Sequence, residues 1–157
     1  MADVSMKLTV NGTPRELTVP EQELLLDTLR DRLGLKGAKR SCDVQVCGAC
    51  TVLVDGAPVS ACTFLAVDAA GREVLTIEGF AQSGEFEEFE RAFADRAAVQ
   101  CGFCTSGFVL TLKALRDAGE LRDREDIIEG LDGNICRCTG YKSIVEAAES
   151  LTAGGAS

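Results

Sequence analysis

The chain has 157 residues, a formal net charge of −9, eight cysteines and no histidine. Without histidine it cannot build a Rieske centre, a His-ligated haem, a Cys2His2 zinc site or His-based acid–base catalysis. The negative charge disfavours nucleic acid and anionic membrane surfaces as partners, because both repel it.

The start, Met1-Ala2-Asp3-Val4-Ser5-Met6-Lys7, lacks the basic-then-apolar pattern of a secretory signal. No apolar run approaches the roughly 18 residues of a membrane span. A cytoplasmic protein is therefore expected. Met6, Leu8 and Val10 alternate up to Asn11-Gly12, and Leu17 and Val19 resume the pattern, which predicts a β-hairpin. Leu25, Leu26, Leu29 and Leu33 recur at helical spacing and stop at Gly34. Thr51-Val52-Leu53-Val54, Asp55-Gly56 and Val59 predict a second hairpin, and Val74–Ile77 a closing strand.

Beyond Gly79 the period becomes helical. Phe86, Phe89 and Phe93 share one face, and Phe108, Leu112 and Leu115 share another that ends before Gly119. Ile127, Ile128 and Leu131 follow Asp123, an expected N-cap, and stop at Gly133. Ser143 through Glu146 spells a capping box before a last helix carrying Ile144, Ala148 and Leu151. These elements predict an α+β chain with a sheet domain over residues 1–80, a linker at 81–84 and a small helical bundle over 85–157. A frayed tail is expected over residues 153–157.

The eight cysteines divide into two sets of four, one in each half. In a reducing compartment they argue for metal rather than disulfides. Cys42, Cys47 and Cys50 follow the spacing C-x4-C-x2-C, with Cys62 beyond, which is the ligand pattern of plant-type [2Fe–2S] ferredoxins. Zinc sites usually pair their ligands as C-x2–4-C and fit this loop poorly. A loop around an anionic cluster must point N–H groups inward, and Gly37 and Gly48 are expected to let the backbone come close. Cys101 and Cys104 form a C-x2-C pair before one predicted helix, and Cys136 and Cys138 a C-x-C pair before the last. Such pairs also suit a four-cysteine zinc site. The ferredoxin-type loop beside them favours iron, since two nearby clusters make a relay.

Three stretches carry a wider likeness: Cys47-Gly48-Ala49-Cys50-Thr51-Val52, Gln100-Cys101-Gly102-Phe103-Cys104-Thr105 and Asn134-Ile135-Cys136-Arg137-Cys138-Thr139-Gly140-Tyr141. In them the sequence resembles the small iron–sulfur subunit of the molybdenum hydroxylases, the family of xanthine dehydrogenase, aldehyde oxidoreductase and carbon monoxide dehydrogenase. The resemblance implies a ferredoxin-like β-grasp domain followed by a four-helix bundle, with one [2Fe–2S] cluster in each. It implies that Cys101, Cys104, Cys136 and Cys138 hold the cluster nearer a molybdopterin centre, and that Cys42, Cys47, Cys50 and Cys62 hold the one nearer FAD. Gln100 and Cys138 would lie closest to the pterin, although Gln100 read from the residues alone is a cap or a surface amide. The expected partners are a molybdopterin-binding large subunit and an FAD-binding medium subunit, in a dimer of heterotrimers. The chain would be the electron-transfer component of an oxidoreductase, with no catalytic site of its own. Two departures stand out: Asp43-Val44-Gln45-Val46 replaces a usually glycine-rich loop, with Ser41 where glycine is common, and Ser106 replaces a frequent proline. A free ferredoxin-like carrier and a zinc-binding interaction module are the competing readings.

Overall fold

The structure is a computed structural model, and it describes residues 2–153. Strands β1 (Asp3–Val10) and β2 (Thr13–Pro20) form the expected hairpin. Asn11 and Gly12 both adopt left-handed φ values, 51° and 73°, as a two-residue turn that matches strand twist requires. Strands β3 (Thr51–Val54) and β4 (Ala57–Ser60) repeat this through Asp55 and Gly56. The fifth strand, β5 (Glu73–Leu75), pairs parallel to β1 and antiparallel to β3, giving one mixed sheet in the order β2-β1-β5-β3-β4.

Helix α1 (Leu25–Asp27) covers this sheet and widens into a π-helical turn at Thr28–Arg32, where Leu33 N–H reaches back to the Thr28 carbonyl. The leucine spacing thus marks a buried helical face, with Leu25, Leu26 and Leu29 fully enclosed, but not a regular α-helix. The closing strand is shorter than the predicted Val74–Ile77. The Asn11 side chain accepts from Thr76 N–H at 2.8 Å and donates to Thr76 Oγ1 at 3.0 Å. That clamp turns the chain out of the sheet, and Ile77 starts helix α2 (Ile77–Phe80) instead.

Helices α3 (Phe86–Asp95), α4 (Thr105–Asp117), α5 (Arg124–Gly130) and α6 (Lys142–Ala153) make up the rest. Asp123 caps α5 as expected, accepting from Glu125 and Asp126 N–H groups at 2.9 and 3.0 Å. Ile128, grouped with the apolar face of α5 on spacing, points to solvent. The expected capping box of the last helix does not form as drawn: α6 starts at Lys142, so Ser143 sits inside the first turn. The chain enters α6 through Gly140 and Tyr141, both at positive φ. Of the tail expected to fray, residues 154–157 lie outside the described residues.

Two apolar cores result. Met6, Leu8, Val10, Val52, Val54 and Val74 fill the one under α1. Phe80, Phe89, Phe108, Leu112, Ile127 and Ile144 fill the helical one, where Phe80 meets Phe86 and Phe89 edge-to-face at 5.5 and 5.1 Å. Each such side chain, fully buried, contributes about 1.5–3 kcal/mol. Strand β3 joins the cores: Val52 and Val54 face one and Leu53 the other, because α4 packs on its second face. That accounts for an uninterrupted apolar run where one-sided burial would give alternation.

The halves also touch along the start of α4. Ser106 Oγ donates to the Gly37 carbonyl at 2.8 Å, Gly37 N–H donates to Glu78 Oε1 at 2.7 Å, and Gly107 packs directly on the Gly48 carbonyl. A methyl group at Gly107 would overlap that oxygen, which is backbone and cannot swing aside. Gly107→Ala is therefore expected to lower unfolding free energy by about 1–3 kcal/mol. Gly84→Ala, with nothing within 4 Å, is the control. Denaturant titration of both reads the difference, and equal midpoints would rule out this close packing.

Candidate metal centres

The first set of thiols is built by the loop between the π-helical turn and β3. Asp43, Gln45 and Gly48 all hold left-handed φ, at 57°, 59° and 67°. Alternating such residues with ordinary ones turns successive N–H groups to one side, a concave nest for an anion. Here the N–H groups of Val44, Val46 and Cys47 converge on Cys42, with Val46 N–H 3.4 Å from Cys42 Sγ. They hold the Cys42 thiol well below its usual range, at about 6. Side chains anchor the two non-glycine left-handed residues: Arg40 donates to Asp43 at 2.6 Å, and Thr63 Oγ1 donates to Gln45 at 3.2 Å. Cys50 and Cys62 lie deeper, both buried, and burial pushes the Cys50 thiol up to about 12. Cys47 acts electrostatically on Cys42, and Cys62 on Cys50, each thiol on its neighbour.

At Gly37 and Gly48 the missing side chain also makes room for other parts of the chain. A side chain at Gly37 would meet Ile77 and Glu78, and one at Gly48 would meet Asn134 and the Gly133 carbonyl. Their smoothness lets the two halves of the chain approach each other.

The second set gathers at the start of α4 and on the segment before α6. Cys104 is the residue preceding α4, and Cys136 and Cys138 lie several residues ahead of α6, so only the first pair sits directly at a helix N-terminus. Again the thiols pair. Cys138 Sγ is 3.5 Å from Cys101 Sγ, both exposed, and Cys104 interacts with Cys136, which is buried. Burial pushes Cys104 up to about 12. Burial also raises Cys136, but the Thr139 hydroxyl at 3.1 Å and the N–H groups of Thr139 and Cys138 outweigh it and leave that thiol lowered. The Phe103 N–H lowers Cys101, and the hydrogen bond to Cys101 raises Cys138.

Eight free thiols in four pairs suit two binuclear iron–sulfur clusters, since each iron of such a core takes two protein thiolates. Among the described residues no three His, Cys, Asp or Glu side chains converge closely enough to share one ion. A single zinc ion would need four converging ligands.

Gln100 is exposed beside Cys101, at the outward end of the second set. Four further residues, not singled out by spacing, shape the sites. The Tyr141 hydroxyl accepts from Cys136 N–H at 3.2 Å, and Thr139 donates to Cys136. Lys39 lies between the sets, its Nζ donating to the Gly37 carbonyl at 2.8 Å and standing 5.8 Å from the Phe103 ring. Burial lowers its pKa, while the charges of Glu78 and Cys104 oppose that. Asn134 is buried between the two thiol loops. Thr139 and Tyr141 lie inside the motif quoted above, whereas nothing in the sequence marks Lys39. Six exposed apolar side chains, Val44, Val46, Val99, Phe103, Ile135 and Tyr141, all fall within three residues of a cysteine.

Comparison with known proteins finds two family models in succession along the chain. Residues 8–76 match the family described as "2Fe-2S iron-sulfur cluster binding domain", and residues 76–149 match "[2Fe-2S] binding domain". The chain is 46% identical to the 6-hydroxypseudooxynicotine dehydrogenase complex subunit beta of Paenarthrobacter nicotinovorans, over 90% of its own length and 89% of that protein's. It is 41% identical to the xanthine dehydrogenase iron-sulfur-binding subunit of Escherichia coli O157:H7, over 90% of each. Among solved structures, a chain of quinoline 2-oxidoreductase from Pseudomonas putida 86 superposes with a TM-score of 0.89 at 37% identity, covering 98% of both chains. With likeness running nearly end to end, this chain belongs to the small iron–sulfur subunits of the molybdenum hydroxylases, the two-cluster [2Fe–2S] component of oxidoreductases of the xanthine dehydrogenase family.

Proposed function

We propose that the chain relays electrons between a molybdopterin-binding large subunit and an FAD-binding medium subunit. In this reading Cys42 and Cys47 hold one iron of the first cluster, and Cys50 and Cys62 the other. Cys101 with Cys138 and Cys104 with Cys136 do the same for the second. Each cluster supplies a one-electron carrier when bound.

The observation that carries the proposal is a hydrogen bond between the two thiol loops. Ile135 N–H donates to the Cys47 carbonyl at 2.9 Å. Ile135 is bonded to Cys136, so a ligand of one set is joined to a ligand of the other through backbone and a single hydrogen bond. Electron transfer weakens steeply across empty space, and this bridge shortens the gap that electrons must cross.

The ends of the relay follow from exposure. Cys101 and Cys138 are exposed beside Gln100, and this end faces the pterin-bearing subunit in our reading, with Gln100 and Cys138 nearest the pterin. Val44 and Val46, 65% and 54% exposed, flank Cys42 and Cys47 and face the flavin-bearing subunit. A monomer has little reason to gather its exposed apolar side chains around its metal sites, whereas a subunit docked at both ends does.

The finer architecture belongs to the same reading. Within the domain expected over residues 85–157, helices α3 to α6 form a four-helix bundle, supported by packing of α6 against α3 and α5 and of α4 against α5. Residues 1–80 form a β-grasp domain, with 81–84 as the linker. The chain works in the cytoplasm, where eight thiols stay free for iron, within a dimer of heterotrimers.

Purification from native cells with iron, molybdenum and flavin analysis tests the assembly. Two larger chains with one flavin, one molybdenum and two irons per cluster support it; iron alone, with no partner chains, would favour a free carrier. In the reduced protein two electron paramagnetic resonance signals are expected, and Cys104→Ser should remove one and keep the other. Loss of both would contradict separate sites. Once iron is removed, iodoacetamide at mildly acidic pH should label Cys42 first, because its thiol is half ionised near its pKa of about 6. Cys50 and Cys104, pushed up to about 12, stay protonated and unlabelled there. Mass spectrometry of the digest reads the order, and early labelling of Cys50 would contradict the deep placement of that thiol.

A further inference from the structure

Asn134 is 5% exposed, and its side-chain Nδ2 has no hydrogen-bond partner. Among the described residues no other buried side-chain nitrogen or oxygen is left so. Burying an amide donor unpaired is costly, and such groups call for an explanation.

The surroundings supply one. Three backbone segments meet at this amide: the Cys47-Gly48 loop, the first turn of α4 at Gly107, and the segment from Gly133 to Cys136. The neighbouring Gly48 carbonyl cannot take the Nδ2 protons. It already accepts from Thr51 N–H at 3.1 Å and from Thr51 Oγ1 at 2.7 Å, which fills both lone pairs. A side chain at Gly48 would run into Nδ2, so the amide lies against the loop between Cys47 and Cys50. In that loop the Cys47 and Ala49 carbonyls are engaged by Ile135 N–H and Lys39 N–H, and the sulfurs of Cys47 and Cys50 stand at its two ends.

We propose that Asn134 is a potential-setting donor for the cluster of Cys42, Cys47, Cys50 and Cys62, its side-chain N–H groups directed to sulfur at the junction. This rests on the two-cluster relay described above. Reduction adds negative charge to a cluster, and N–H donors at its sulfurs favour the reduced form. The donor therefore raises the potential of that cluster relative to the same loop without it. Because Asn134 is carried by the segment that ligates the other cluster, the second site sets the driving force for electrons leaving it.

The test is a potentiometric titration of the purified protein with its natural partners, followed by electron paramagnetic resonance. The wild-type chain must first show two reducible clusters; if it does not, the relay reading fails and not this one. Asn134→Leu keeps the volume and removes the donors, and the signal of the first cluster is expected to move to lower potential while the second stays put. Asn134→Asp keeps the shape and replaces Nδ2 with oxygen, and a larger shift in the same direction is expected. Unchanged potentials, a shift confined to the second cluster, or equal shifts of both would overturn the proposal. Loss of the clusters in both variants would overturn it as well, by assigning Asn134 to the fold alone.

Discussion

The structure depends on holding two thiol loops from different halves of the chain against each other. The tie is small: one hydrogen bond from Ile135 N–H to the Cys47 carbonyl, and the seating of Gly107 on the Gly48 carbonyl. Such contacts cannot hold two domains by themselves, so the rest of the fold holds them. Strand β3 gives one face to each core, and α4 lies across its second face. Ser106 reaches from the first turn of α4 to the Gly37 carbonyl. Relative motion of the halves would have to break an apolar core before it could lengthen the bridge.

Each site also sets low-pKa thiols against high ones. Cys42 in the first site and Cys101 and Cys136 in the second are lowered by N–H and hydroxyl donors, whereas Cys50 and Cys104 are raised by burial. Iron takes thiolates, so binding must expel protons from the raised pair. Cys42, at about 6, offers an anion before metal arrives, and the buried Cys50 and Cys104 become stable as anions only when iron neutralises them. The N–H groups that lower Cys42 are the same groups that would face cluster sulfur, so one loop geometry serves both the empty and the loaded state.

Local signals in the sequence match the structure at the two hairpin turns and at the start of α5, where short-range physics decides the outcome. Asn11-Gly12 and Asp55-Gly56 make turns because short range sterics demand left-handed residues there, and Asp123 caps α5 through its own side chain. The cysteine spacing divides the thiols into the two sets that the fold keeps apart. Several features that spacing leaves open depend on partners far away in the chain. Thr76 leaves the sheet because Asn11 holds it, and Gly37 and Gly48 are small because Ile77, Glu78 and Asn134 press on them. Ser143 has the right neighbours for a capping box, yet Gly140 and Tyr141 bring the chain into α6 two residues earlier, where the Tyr141 hydroxyl also accepts from the Cys136 N–H. Pairing among the thiols, which decides the nuclearity a site can hold, is not written in their spacing at all.

The loop from Cys42 to Cys47 shows why a departure from a glycine-rich pattern can leave geometry intact. A left-handed residue other than glycine costs roughly 1–2 kcal/mol, and this loop has two, Asp43 and Gln45. Both positions make a contact that glycine could not. Asp43 is held by Arg40, which also grips Asp27 at the end of α1, and Gln45 is held by Thr63, the residue after Cys62. The anchors run to the two places the loop must stay registered with: the helical turn before it and the last thiol of its own set. Glycine would relieve the strain but release those contacts, leaving the inward N–H groups of Val44 and Val46 dependent on the metal for their order. Here the side chains fix the nest from outside, and the strain is offset where the ligands need their register.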